Sequence, residues 1–185
     1  MSDGVEREIK LRFDTAALAR NAVLEAGGVP LRGRRLQDDR LFDTAEGLLQ
    51  GRRSVLRVRL ESGRSFLTFK GPVQPSAMKL REELETTVGD GELMIGLLEA
   101  LGFRAWFRYQ KYREEFALGD VIIAVDETPV GTYVELEGTE HGIAAAAEAL
   151  GRTASDYVLD SYRALFVRHC EERGLPVTDM LCAAQ

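Results

Sequence analysis

The chain of 185 residues holds two cysteines, two histidines, five prolines and one tryptophan. Cys170 and Cys182 lie near the C-terminus without metal-ligand spacing. That excludes a disulfide scaffold and a thiolate zinc centre, and points to reduced thiols in a cytoplasmic protein. His141 and His169 are far apart in sequence and suggest no partner for a nucleophile. His169 and Cys170 are helix neighbours that point about 100° apart, so they form no catalytic pair. No stretch approaches the roughly 18 apolar residues of a membrane-spanning helix. The first residues carry no basic region followed by an apolar run, so no signal peptide is expected. There is no G-x-x-x-x-G-K-[ST] loop, which excludes a P-loop enzyme. A net charge of −6 argues against a general nucleic-acid binder. Neither a nucleic-acid polymer nor a membrane is expected as a partner.

What is present is charge, and it is unevenly placed. Residues 1–81 carry 16 Lys and Arg against 10 Asp and Glu, whereas residues 82–185 carry 8 against 20. The composition, 45% hydrophobic and 29% charged, suits one ordinary globular domain. We assign it to residues 1–175, with 176–185 as a loose C-terminal tail after Pro176. Period-2 patterns predict strands near 5–13, 34–43, 54–60, 65–70, 80–88, 104–117, 120–127 and 132–138. Helices are predicted near 15–26, 91–101, 141–150 and 155–173, the last opened by Ser155-Asp156.

The strands share an unusual feature. Residues two apart in a strand lie on one face. Glu6, Glu8, Lys10 and Arg12 therefore share a face, as do Arg57 and Arg59, Arg81, Glu83 and Glu85, Lys111, Arg113 and Glu115, and Glu135 and Glu137. Single strands of this kind are ordinary wet faces of an antiparallel sheet. Both signs recurring across all the strands favour another arrangement. The polar faces line the lumen of a closed antiparallel barrel, and helices cover its apolar exterior. About eight strands enclose room for one small ligand. Unpaired like charges in such a lumen cost several kcal/mol each. Carboxylates offset part of this charge, and a polyanion with divalent metal would offset the rest. Glu6 with Glu8, and Glu135 with Glu137, place paired carboxylates about 6.5–7 Å apart along a strand, an oxygen-rich set suited to Mg²⁺ or Mn²⁺. The planar fork of arginine suits phosphate.

These residues also resemble a known family. Glu6-Arg7-Glu8-Ile9-Lys10 is similar to the E-x-E-x-K signature of the CYTH superfamily, which takes its name from bacterial class IV adenylyl cyclase and mammalian thiamine triphosphatase. The resemblance runs through residues 5–165. It includes Gln37-Asp38-Asp39-Arg40-Leu41-Phe42-Asp43-Thr44, Leu56-Arg57-Val58-Arg59, Leu67-Thr68-Phe69-Lys70-Gly71 and Arg81-Glu82-Glu83-Leu84-Glu85. It continues through Lys111-Tyr112-Arg113, Val125-Asp126, Gly131-Thr132-Tyr133-Val134-Glu135-Leu136-Glu137 and Ser161-Tyr162. Leu41 stands where the family commonly has Tyr, and Asp160 where Lys is frequent.

The resemblance implies an α+β fold, the triphosphate tunnel: an eight-stranded antiparallel β-barrel with a charged lumen, flanked by helices. It implies that Lys10, Arg57, Arg59, Lys70, Lys111 and Arg113 hold the phosphates and act in catalysis. It implies that Glu6, Glu8, Glu135 and Glu137 hold Mg²⁺ or Mn²⁺, with Asp126 and Glu85 as further ligands. For Glu83 and Glu85 a salt bridge to Arg57 or Lys70 inside the barrel is an equal alternative. Arg12, Arg52 and Arg53 are expected on the surface. Trp106, Phe107 and Tyr109 are expected to cover the barrel exterior or a helix interface, with base stacking as the alternative.

Three functions follow. The first is metal-dependent hydrolysis of the terminal phosphate of tripolyphosphate, thiamine triphosphate or a nucleotide such as ATP. The second is a class IV adenylyl cyclase, making cyclic AMP and pyrophosphate from ATP. The third is a polyphosphate-binding module without turnover. A homodimer is expected on the general frequency of two-fold pairs.

Overall fold

The computed structural model describes residues 4–183. Eight strands run β1 (Val5–Phe13), β2 (Val29–Asp43), β3 (Val55–Glu61), β4 (Arg64–Lys70), β5 (Lys79–Val88), β6 (Arg104–Leu118), β7 (Val121–Thr128) and β8 (Gly131–Glu137). They close into a barrel in the order β1-β5-β4-β3-β2-β6-β7-β8. Every neighbouring pair is antiparallel. The eight-stranded antiparallel barrel read from the sequence is therefore the fold.

Five helices flank it: α1 (Ala16–Glu25), α2 (Leu48–Gly51), α3 (Gly91–Ala100), α4 (Glu140–Ala149) and α5 (Tyr162–Arg173). The N-cap side chains of Thr15, Asp90, Thr139 and Ser161 each accept a first-turn backbone N–H of α1, α3, α4 and α5 respectively. Buried Ala19 and Val23 of α1 and Ile143, Ala146 and Ala147 of α4 pack on the outward side chains Ile9, Leu11, Ile123, Val125, Val134 and Leu136. On the far side, Ile95 and Leu98 of α3 cover Phe42 and Val58. The barrel is thus apolar outside and leaves its polar faces inward. Burying each such aliphatic side chain is worth about 1.5–3 kcal/mol. Among the described residues no helix is long and apolar enough to cross a membrane.

Turn chemistry sets the registers. Ser62 and Gly63 both have positive φ (47° and 76°), a two-residue hairpin turn that joins β3 to β4. Gly28 follows α1 at a close approach, where a Cβ would lie 2.6 Å from Val23 Cγ1.

Three boundaries or placements differ from expectation, each for a physical reason. Strand β2 begins at Val29, not near 34, because Val29, Pro30 and Arg32 pair with β6 across two register shifts. Those shifts break the alternation that reveals a strand. The last helix begins at Tyr162, not near 155. Asp156 turns back on the Thr153 N–H at 2.8 Å, and Val158 then exchanges backbone hydrogen bonds with Lys10. The segment after Pro176, expected to lie loose, is pinned at Met180, which is fully buried. Its N–H donates to Arg108 O and its carbonyl accepts Gln110 N–H. There β6 runs on past the end of β7, and Met180 occupies the edge that β7 leaves open. Phe107 and Tyr109 take the second of their two expected placements, a helix interface: they pack with Leu41, Tyr133 and Met180 beneath Tyr162, Phe166 and Cys170 of α5, closing one end of the barrel.

Candidate active site in the barrel

A cavity of about 360 Å³ runs inside the barrel. Glu6, Glu8 and Lys10 of β1, Arg57 and Arg59 of β3, and Lys70 of β4 line it. So do Lys79, Arg81, Glu83 and Glu85 of β5, Lys111, Arg113 and Glu115 of β6, and Glu135 and Glu137 of β8. The six basic residues singled out in the sequence all face this space and are all buried or nearly so. Their inward aim is the strand period at work, with apolar residues between them packed outward.

The charges form three linked clusters. In the first, Asp39 takes Arg59 Nε and Nη2 at 2.8 and 3.1 Å, with Arg57 Nε at 3.5 Å. Asp39 has no solvent exposure. Burial pushes its pKa up, but the two guanidiniums prevail and hold it at about 2. Arg57 continues to Thr68 Oγ1 at 3.1 Å and Glu85 Oε2 at 3.3 Å.

In the second cluster, Asp126 is fully buried and ringed by donors. Lys111 Nζ donates at 2.8 Å, Arg113 Nε at 2.7 Å, Arg113 Nη2 at 2.6 Å and the Tyr162 hydroxyl at 2.6 Å. Arg113 also donates to Glu135. The Lys111 ammonium lies 4.6 Å above the Tyr162 ring. Burial, and then the neighbouring Arg113, lower the Lys111 pKa to about 8 against the pull of Asp126 and Glu135.

In the third, Lys70 bridges Glu6 at 2.6 Å and Glu83 at 3.1 Å, and Arg81 Nε donates to Glu6 at 2.8 Å. Lys10 bridges Glu8 at 2.9 Å and Glu135 at 3.3 Å. Lys79 also donates to Glu8. Burial raises the Glu6 carboxyl, yet Lys70 and Arg81 hold it far below the usual carboxylate range.

Glu137 is the exception. It stands directly across from Glu8 in the β1–β8 register and takes no ion pair among the described residues. Part of Glu137 stays open to solvent, yet partial desolvation at the barrel mouth, then the like charges of Glu6, Glu83 and Glu135, push its pKa up to about 7. Like charges directly opposite on paired strands destabilise each other. A cation between them would relieve this.

Among the described residues, no three Asp, Glu, His or Cys side chains gather closely enough to hold an ion as placed. Glu6, Glu8 and Glu135 are each drawn to lysine or arginine, so a metal would have to open those pairs. The donor set itself fits a hard cation: carboxylate oxygens on adjacent β1 and β8, one of them short of a positive partner. Asp126 fits less well, because both its oxygens already accept. Glu85 bonds Arg57 and Thr68, and Glu83 bonds Lys70, as the salt-bridge alternative anticipated.

Sequence reasoning missed several members of this site. Lys79 lies at the first position of β5, one residue before the predicted strand. Asp39 was buried in a motif, although its spacing from Leu41 already gives its face. Tyr162 was noted only as part of Ser161-Tyr162. Arg32 and Glu115 line the cavity, and Arg32 and Arg35 pair with Glu61 and Glu115 at 2.6–3.1 Å. The bulged start of β2 concealed them. Arg12, Arg52 and Arg53 are exposed, as expected.

Residues 5–161 match the CYTH domain. The chain belongs to the CYTH family. A Methanocaldococcus jannaschii protein named "putative adenylate cyclase" is 31% identical over 137 residues, 72% of this chain and 76% of that protein. The structure of a Pyrococcus horikoshii protein superposes with a TM-score of 0.73 at 25% identity, over 86% of this CYTH chain and 98% of the other. A Hippeastrum protein described as a "putative adenylyl cyclase" with a dominant triphosphatase activity shares the CYTH fold at a TM-score of 0.66 and 21% identity, over 93% and 97% of the two chains.

Proposed function

We propose that this CYTH barrel is an enzyme that binds a small-molecule triphosphate in its cavity with Mg²⁺ or Mn²⁺ and hydrolyses the terminal phosphate. One observation carries the reading. Six basic side chains, Lys10, Arg57, Arg59, Lys70, Lys111 and Arg113, converge on one cavity of about 360 Å³. A polyanion is the partner such a space accommodates best. The triphosphatase activity described for the Hippeastrum protein favours hydrolysis.

The chain's own groups have distinct tasks in this reading. Arg57 and Arg59, steered by Asp39, present their free N–H groups to phosphate oxygens. Lys111 and Arg113, held by Asp126, take the negative charge that develops on the transferred group. Glu6, Glu8 and Glu137, with Glu135, would hold the divalent ion. When bound, that ion would polarise the phosphoryl centre and lower the pKa of a bound water. Phosphate oxygens would take over the lysines and arginines now paired to carboxylates, freeing the carboxylates for the ion.

The second reading is cyclisation of ATP to cyclic AMP and pyrophosphate, favoured by the name of the Methanocaldococcus relative. The same groups would serve, with the ribose 3′-hydroxyl in place of water and the α-phosphate in place of the terminal one. Capture without turnover is the third reading. The pure protein, incubated with Mg²⁺ or Mn²⁺ and either tripolyphosphate or ATP, separates them. Orthophosphate is expected. Cyclic AMP with pyrophosphate makes the protein a cyclase, and tight binding with no product makes it a binding module. If calorimetry detects no uptake of either compound, all three readings fall.

A further inference from the structure

A second cavity of about 330 Å³ adjoins the first. The two share Arg57, Lys70, Arg81, Tyr109, Ser161 and Tyr162, so they meet at these side chains. The second differs in character. Leu41, Val55 and the indole of Trp106 give it an apolar wall, and Gln50 and Ser54 add neutral polar groups. The Arg163 guanidinium lies 4.7 Å over the Trp106 ring, and its buried Nε has no hydrogen-bond partner. Several cations line this space, and no acidic side chain is among its lining residues.

This annexe recognises something the phosphate cavity does not. A flat indole and a flat guanidinium offer stacking faces to a planar ring. Gln50 and Ser54 offer hydrogen bonds to polar atoms on a ring edge. The charge decides which ring. A cationic heterocycle, such as the thiazolium of thiamine, would enter a space lined by arginine and lysine with no carboxylate to offset it. A neutral base meets no such penalty. Inorganic tripolyphosphate would leave the apolar wall unused.

We infer that the annexe beside Trp106 holds the neutral planar base of a nucleoside triphosphate, and selects such a nucleotide over both thiamine triphosphate and inorganic tripolyphosphate. The inference rests on the proposed binding of triphosphate in the barrel. It adds the place and the chemistry of the organic group.

Trp106 is the chain's sole tryptophan, so its fluorescence reports this cavity alone. Calorimetry would measure affinity for ATP, thiamine triphosphate and tripolyphosphate in magnesium buffer, while tryptophan emission is followed in the same titrations. ATP is expected to bind more tightly than the other two and to quench Trp106. Tripolyphosphate is expected to bind with little change in emission. Trp106→Ala should weaken ATP binding about tenfold, as loss of one base-stacking face does, and leave tripolyphosphate within about twofold. Arg163→Gln, which keeps a hydrogen-bonding side chain but loses the charge and the stacking plane, should also weaken ATP selectively.

Equal losses for ATP and tripolyphosphate in both variants, or tighter binding of thiamine triphosphate than of ATP by the native protein, would overturn the inference and leave triphosphate binding intact. Failure of tripolyphosphate and ATP alike to bind would remove the underlying reading as well.

Discussion

Tyr162 donates its hydroxyl to Asp126 Oδ2 at 2.6 Å, joining the first residue of α5 to the most thoroughly bonded carboxylate in the barrel. The helix that closes one end of the cavity is thereby tied to the group that positions Lys111 and Arg113. Tyr162→Phe leaves Asp126 three other donated hydrogen bonds and should cost about 0.5–1.5 kcal/mol of stability, the net worth of one hydrogen bond. Asp126→Asn removes the charge that balances Lys111 and Arg113 and should cost about 3–5 kcal/mol, the range for breaking a buried ion pair. Urea denaturation of the two variants tests the order. A Tyr162→Phe protein weaker than Asp126→Asn contradicts it.

Arg59 and Asp39 make a similar pair with a different division of labour. Asp39 is fully buried, and among the described residues its carboxylate pairs with Arg59 and Arg57. Arg59→Ala strands that carboxylate and should lower stability by about 3–5 kcal/mol. It should also weaken triphosphate binding more than loss of any other single basic residue. The double variant Arg59→Met with Asp39→Leu removes both charges and should regain much of the stability while binding stays weak. Denaturation and calorimetry on the same two proteins separate the roles. Recovery of binding along with stability would show that Arg59 serves the fold alone.

The inward set was legible because a strand has one arithmetic. Glu6, Glu8 and Lys10 alternate with Ile9 and Leu11, so the burial of one face fixes the aim of the other. The same arithmetic distinguishes Asp38 from Asp39: Asp38 faces out to Arg108, Asp39 faces in to Arg59. Where period 2 breaks, reading stopped. The bulges before Arg35 hid the Arg32 and Arg35 pairs with Glu61 and Glu115. The start of α5 was misplaced because Ser155-Asp156 is as good a local cap as Ser161. The choice is made by the Val158 backbone bonding to Lys10, a contact 148 residues away in the chain that no local pattern carries. The burial of Met180 is tertiary in the same sense.

That burial has its own consequence. Met180 fills a gap among Tyr109, Phe166 and Cys170 and supplies backbone bonds to the free edge of β6. Met180→Ala should cost about 2–5 kcal/mol, the usual range for emptying a buried methionine site. Thermal unfolding checks this. A change below about 0.5 kcal/mol, the scatter of surface substitutions, would return the segment to the status of a loose tail.

Glu8 accepts from Lys10 and Lys79 and faces Glu137. Glu8→Gln keeps the shape and the hydrogen-bonding capacity but loses the charge. Metal-dependent turnover should fall by at least the roughly 100-fold that losing a group behind a metal ligand can cost. Tripolyphosphate affinity measured without metal should hold or rise, because the cavity becomes more positive. Near-native turnover would remove Glu8 from the metal set.

Glu137 makes the site sensitive to pH. Its pKa in the fold is about 7, against 4.5 for an unperturbed glutamate. Between those values the folded protein keeps a proton that the unfolded chain has lost. The folded state then binds more protons, and stability must fall as pH rises through that window. Because this side chain is partly open to solvent, the loss should be about 1 kcal/mol rather than the full shift. Metal-free protein should therefore melt at a lower temperature at pH 7.5 than at pH 5.5 by more than Glu137→Gln does, since the amide cannot titrate. A divalent ion at this carboxylate should bind more tightly as pH rises from 6 to 8 and displace protons below 7. Calorimetry in buffers of different ionisation enthalpy counts those protons. Metal uptake with no proton release at pH 6, or the same pH slope in Glu137→Gln as in the native protein, removes Glu137 from the role.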